Sequence, residues 1–159
     1  MSESGGRRIK RSIFIDMTSI RFCNEEMINH YNKFELIREY LKSKQTEITN
    51  FTDDMNVDTS ELINGRRLTN IGTFRSYVEE YLKNHEKLHN EMTLIVRQLK
   101  PGANGLPIEI YVFINDMVWK NYEGIQSDIF DHILAVIPEF DLRVFQDPTG
   151  QDFSRYLND

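Results

Sequence analysis

Between residues 92 and 114 the chain alternates. Met92, Leu94 and Val96 interleave with Thr93, Ile95 and Arg97, and Ile108, Ile110, Val112 and Ile114 interleave with Glu109, Tyr111 and Phe113. A period of two in β-branched and aromatic residues marks strands with two unlike faces. The link between the runs carries Pro101, Gly102, Asn104, Gly105 and Pro107. These residues remove donors or admit positive φ, so the two strands are expected to fold back as an antiparallel pair. A further alternating run covers residues 7–17, with Ile9, Ile13, Ile15 and Met17 on one face and Lys10, Ser12 and Asp16 on the other.

From Asn24 the spacing changes to three and four. Met27, Tyr31, Phe34, Ile37 and Leu41 form one apolar stripe, Asn24 is placed to cap, and Glu25 and Glu26 fall in the first turn, where the helix dipole favours carboxylates. The periodicity thins after Lys42. Through Gly65 the chain is polar, with Ile48, Phe51, Val57, Leu62 and Ile63 as scattered anchors, which predicts the fraying end of a long helix and then a surface excursion. A second helix starts at Asn70 or Thr73, buries Phe74, Tyr77, Val78, Tyr81 and Leu82, and ends near Asn84. A third, capped by Asn115 or Asp116, is expected to bury Trp119, Tyr122, Ile125, Ile129, His132, Ile133 and Val136 until Pro138 stops it. Residues 142–146 read as a short last strand.

The resulting order, βαββαβ, predicts an α+β fold of ferredoxin-like type, a sandwich of one sheet with helices on one face. The first crossover is longer than one helix requires, so a long helical insertion is expected at about residues 42–67. Residues 7–147 then form one domain, residues 1–6 a disordered lead-in and residues 148–159 a polar tail.

Composition narrows the function classes. The net charge of -6 argues against a nucleic-acid footprint over the whole domain. Cys23, the single cysteine, excludes an intrachain disulfide and fits a reducing compartment. No apolar run approaches the roughly 20 residues that cross a bilayer, and no apolar segment follows the basic residues near Met1 as a signal peptide would require. Together these place the residues in the cytosol. Against that acidic background, Arg7, Arg8, Lys10 and Arg11 crowd the start of the first strand. Two readings compete: a solvated strand end that discourages edge pairing, or a contact with a preceding domain, another subunit or an anionic surface.

The chemical motifs are weak. His85-Glu86-Lys87-Leu88-His89 matches HExxH, in which two histidines on one helix face bind zinc and the glutamate activates water. It falls at a helix end three residues before a strand, and His132, inside the last helix, reads as a core residue. Asp54, Asn56 and Asp58 mimic half of a calcium loop, but Thr59 stands where glycine is needed and Gly65 where a bidentate glutamate is needed. The fold order also belongs to RNA-recognition modules, yet the strand bearing Tyr111 and Phe113 lacks their basic-glycine-aromatic signature, and both rings are expected to pack under a helix. An acylphosphatase-like hydrolase would need more than Arg21, because no glycine-rich anion loop accompanies it. No catalytic, cofactor or metal site is therefore predicted, and the chain is not expected to be an enzyme.

Four stretches carry a resemblance: GGRRIKRSIFIDMTSIRFC, NGRRLTNIGTFRSYVEEYLKNH, MTLIVRQLKPGANGLPIEIYVF and IQSDIFDHILAVIPEFDLRVFQDPTG. Over nearly the whole chain the sequence resembles the C-terminal cytoplasmic part of MscS-family mechanosensitive channels, in the YbdG-type (miniconductance) branch of bacterial inner membranes. The resemblance implies a homo-oligomer, heptameric in the best-known members, that releases ions and small solutes on hypo-osmotic shock. This chain would be a segment of the hollow cytoplasmic cage, with transmembrane helices and a small β domain ahead of Ser2, and would not itself enter the membrane. Arg7, Arg8, Lys10 and Arg11 would lie where the β domain joins the α/β domain, near neighbouring subunits and the cage portals. A free-standing ferredoxin-like regulatory or ligand-binding domain is the alternative.

Overall fold

Nine residues of alternating character make the first strand, β1 (Arg7–Ile15), and the computed structural model shows why it stops there. The Asp16 side chain accepts from Thr18 N at 2.9 Å and starts a 3-10 turn over Met17–Ser19, so Met17 leaves the strand's face and is 48% exposed rather than buried. The structure describes residues 6–89, 91–116 and 118–147. Residues 1–5 of the expected lead-in and the whole of the expected tail lie outside the described residues.

The stripe read as one helix is two. Asn24 caps α1 (Glu25–Tyr31), its side chain accepting from Met27 N at 2.9 Å, and a 3-10 turn at Glu35–Ile37 leads into α2 (Arg38–Met55). Met27, Tyr31, Ile37 and Leu41 are all buried, because the break preserves the side on which they emerge. Helix α2 does not fray after Lys42. It runs on to Met55 although Leu41 is its one buried residue, and Asn56 ends it in the left-handed conformation that asparagine tolerates. The following loop is organised by Arg67, whose guanidinium donates to the carbonyls of Leu62, Thr59 and Glu61. Thr69 then caps α3 (Asn70–Lys83) by accepting from Gly72 N at 3.1 Å.

The hairpin forms with a shorter first arm, β2 (Ile95–Gln98), and a full second arm, β3 (Leu106–Ile114). Its link closes through paired Gly102 and Gly105 hydrogen bonds of 3.0 and 3.1 Å. Gly105 has φ +88, and a Cβ there would run into the Ile15 carbonyl oxygen, so two constraints select glycine. Helix α4 (Trp119–Val136) follows; Asp116 accepts from Val118 N and Asn121 Nδ2 ahead of it, and Pro138 lies in the 3-10 turn that replaces it at Ile137–Phe140.

The sheet is antiparallel in the order β1-β3-β2, so the fold is an α+β arrangement of four helices and three strands among the described residues. The expected fourth strand is reduced to one bridge, Ile15 with Val144, flanked by Asp16 N to Arg143 O and Phe145 N to Phe14 O, both 2.8 Å. The 3-10 turn after Ile15 takes away Met17, the partner that Leu142 would need in this register.

Register decides the two faces. Ile9 opposes Val112, Ile13 opposes Ile108 and Ile15 opposes Leu106, all buried in one cluster with Phe74, Val78 and Leu82 of α3 and Ile129, Phe130 and Ile133 of α4. Burying each such side chain contributes on the order of 1.5–3 kcal/mol. Tyr111 and Phe113 alternate with the core residues of β3, so they point away from the helices, and the expectation that they pack under a helix is corrected. They touch each other edge to face at 5.7 Å. On that second face Phe14 and Ile95 are 38% and 40% exposed, and Arg97 holds the buried Glu109 at 2.8 Å. No described helix is long and apolar enough to cross a membrane.

Candidate interaction surface

Strand periodicity separates the four N-terminal cations that the sequence crowds together. Arg7 and Arg11 share the helix-facing side of β1 with Ile9 and Ile13, whereas Arg8 and Lys10 share the open side with Ser12 and Phe14. A guanidinium at the edge of an apolar layer needs a partner that accepts its flat, weakly hydrated face, and aromatic rings provide one. Arg7 lies 4.6 Å from the ring centroids of both Trp119 and Tyr122, and Arg11 lies 4.2 Å from that of Phe130, all on α4. On the open side Arg8 stands 5.8 Å from the Tyr111 ring. Tyr122 fastens the same junction by donating its hydroxyl to the Arg8 carbonyl at 2.9 Å.

Among the described residues none of these four cations has a carboxylate within ion-pair distance. The rings orient the three guanidiniums without neutralising them, and Lys10 is exposed. Such a strand presents fixed positive charge on both sides of a sheet in a chain of net charge -6. Beside it, Val118 is 58% exposed and Trp119 62% exposed, which corrects the expectation that Trp119 is buried. The aromatic partners were missed in the sequence. A usable signal existed: arginine at odd positions of a strand whose other odd positions are isoleucine must meet something at the core's edge.

The remaining motifs are placed as follows. Helix α3 ends at Lys83, so His85, Glu86 and His89 lie in the turn beyond it, and the helical face that HExxH chemistry requires is not formed. His85 Nδ1 accepts from Lys87 N at 3.1 Å, and burial lowers its pKa. His132 is half-buried, stacked on Tyr81 at 4.2 Å and bonded to the Tyr77 hydroxyl at 2.8 Å. Asp58 accepts from Ser60 N at 3.0 Å. Cys23 is buried, and desolvation pushes its thiol pKa up to about 11, which leaves almost no thiolate near neutral pH. Among the described residues no three His, Cys, Asp or Glu side chains gather as a metal site would need.

Tyr31 ties the N-terminal half to the C-terminal end. Its hydroxyl donates to Asp141 Oδ2 at 2.6 Å, burial and that bond raise its pKa, and Arg21 approaches the other Asp141 oxygen at 3.6 Å. Asn70, wholly buried, accepts from Arg21 N and donates to the carbonyls of Ser19 and Asp141. These bonds satisfy buried polar groups and hold the loop after β1 against the start of α3.

The fold defines a class: an α+β domain with a three-stranded antiparallel sheet among the described residues. Residues 69–144, just under half the chain, match the family model for the C-terminal domain of the mechanosensitive ion channel MscS. The matched span contains α3, the hairpin, α4 and Val144, so the second half of the domain is what resembles that family.

Proposed function

We propose that this chain is part of the cytoplasmic cage wall of a bacterial mechanosensitive channel of the YbdG-type (miniconductance) branch. In that role it frames a homo-oligomer, heptameric by family resemblance, and filters the ions and small solutes released when osmotic pressure drops. It modulates gating without catalysing a reaction. The observation that carries the reading is the MscS C-terminal match across α3, β2, β3 and α4. The bridge at Val144 supports a ferredoxin-like arrangement, because it sets a fourth segment antiparallel to β1 on the side away from β3. The stretch at about residues 42–67, largely the second half of α2 and the Arg67-organised loop, is the insertion into that plan.

In this role Arg7, Arg8, Lys10 and Arg11 form the junction with the preceding domain or the neighbouring subunit. Their rings preset the guanidiniums, and their lack of carboxylate partners among the described residues leaves charge for an acidic surface across the junction. The test is patch recording of the full-length channel with Arg8→Glu and Lys10→Glu. Normal membrane insertion with altered gating or weakened oligomerisation is expected. Recordings and oligomer size indistinguishable from the unmodified channel would remove these residues from the interface, and a native gene with no apolar spans upstream would remove the channel role itself.

A further inference from the structure

The insertion builds a cavity that the basic strand does not touch. A polar hollow of about 420 Å³ opens between α2, the loop before α3 and the first turns of α3, lined by Lys44, Glu47, Arg66, Arg67, Thr69 and Arg75 among others. Four cationic side chains therefore converge against one carboxylate, on a chain whose net charge is negative. Their circumstances differ. Arg67 is occupied by three loop carbonyls. Arg66 lies over the Phe51 ring at 4.4 Å and reaches Glu47 at 3.6 Å, and Lys44 reaches the other Glu47 oxygen, also at 3.6 Å. Arg75 is half-buried and has no hydrogen bond, ion pair or ring contact among the described residues. A partly desolvated guanidinium without an acceptor is costly to hold, and it is stabilised by a bound anion.

The cavity wall next to it is backbone at Gly72. A side chain at Gly72 would crowd the lining: its Cβ would stand 3.0 Å from Thr69 Oγ1 and 3.8 Å from Arg75 Nη2. The helix N-terminus does not carry the site. Asn70 N already donates to Arg21 O, Gly72 N to Thr69 Oγ1 and Thr73 N to Thr69 O. Charge and forked donors do, and those features select a multivalent oxyanion over chloride or a single carboxylate.

We propose that this cavity is a phosphate-binding site, with Arg75 as the principal ligand and Lys44 and Arg66 closing over the anion from the insertion. Glu47 holds those two cations in place while the site is empty. The phosphate can belong to a soluble cytosolic compound or to a lipid headgroup, and the two sources are separable. The assignment holds whether or not the chain serves in a channel, since it rests on residues of this domain alone.

The experiment is titration of the chain with inorganic pyrophosphate at constant ionic strength, followed by amide NMR shifts and calorimetry, with phosphatidylglycerol vesicles as a second arm. Saturable shifts at Gly72 and Arg75 are expected, with affinity at least about tenfold weaker in Arg75→Gln. Lys44→Gln should weaken binding while lowering the melting temperature by no more than a few degrees, since its ion pair with Glu47 is half-exposed, which guards against a folding defect in the first variant. Binding to pyrophosphate supports the soluble source; binding to vesicles alone, abolished by either variant, supports the headgroup. No saturable binding in either arm, or binding undiminished in both variants, overturns the site.

Discussion

Asp16 does three jobs at one position. Its carboxylate accepts from Thr18 N and Oγ1 and meets the Arg143 guanidinium at 3.0 Å, so it ends β1, starts a turn and fastens the chain's last described segment. The Thr18 hydroxyl first, and then its amide and Arg143, hold the Asp16 pKa below its ordinary 3.8. A carboxylate whose folded pKa is depressed contributes stability that is fully present above the unfolded value and is lost as pH falls through the folded one. We therefore expect Asp16→Asn to lower the melting temperature at neutral pH, with the gap to the unmodified protein closing below about pH 4. A gap that persisted at acid pH would mean that the carboxylate's charge is not what stabilises the turn. Individual residues were legible where the chemistry is local, as for Asn24, whose capping role follows from its type and the two glutamates after it. Trp119 was not legible. Helical spacing placed it in a stripe with Ile129 and Ile133, but at the first residue of α4 it is exposed and lies beside Arg7 and Tyr122.

Elements were legible where the hydrophobic period is strong. The alternation of Ile108, Ile110, Val112 and Ile114 specified β3 and its buried face, and the stripe through Phe74, Val78 and Leu82 specified α3. The break between α1 and α2 was hidden because Tyr31, Phe34 and Ile37 keep helical spacing through a 3-10 turn. The length of α2 was hidden for the opposite reason. It buries one residue, so no stripe announces it, and local support comes from contacts such as Lys44–Glu47 at 3.6 Å. The loop after it depends on Arg67 as a donor to three carbonyls rather than on an apolar anchor. Replacing Arg67 by Ala should leave the sheet intact and release that loop. Limited proteolysis with thermolysin is expected to cut near residues 58–64 several-fold faster than in the unmodified protein, with the global melting temperature lowered by only a few degrees. Unchanged cleavage would assign the loop's order to something other than those bonds.

At the scale of the whole molecule, the class of fold was visible from the sequence of periods, because order along the chain leaves few arrangements for a short antiparallel sheet. What remained out of reach was how the two sheet faces divide labour. Arg7 and Arg8 are adjacent in sequence yet belong to opposite sides, one bound to a helix and the other to the open face with Tyr111. The alternation of the strand separates them, and the ring partners on each side come from elements distant in sequence. The Arg7 arrangement also equips the protein with its own optical gauge. Trp119 is the sole tryptophan, and the guanidinium resting on its indole shields part of an otherwise accessible ring. Its emission should therefore respond when the N-terminal strand shifts: Arg7→Ala is expected to red-shift the spectrum and steepen acrylamide quenching, and an unaltered spectrum would show that the stacking does not persist in solution. Any displacement of that strand could then be followed by light alone, with no dye attached.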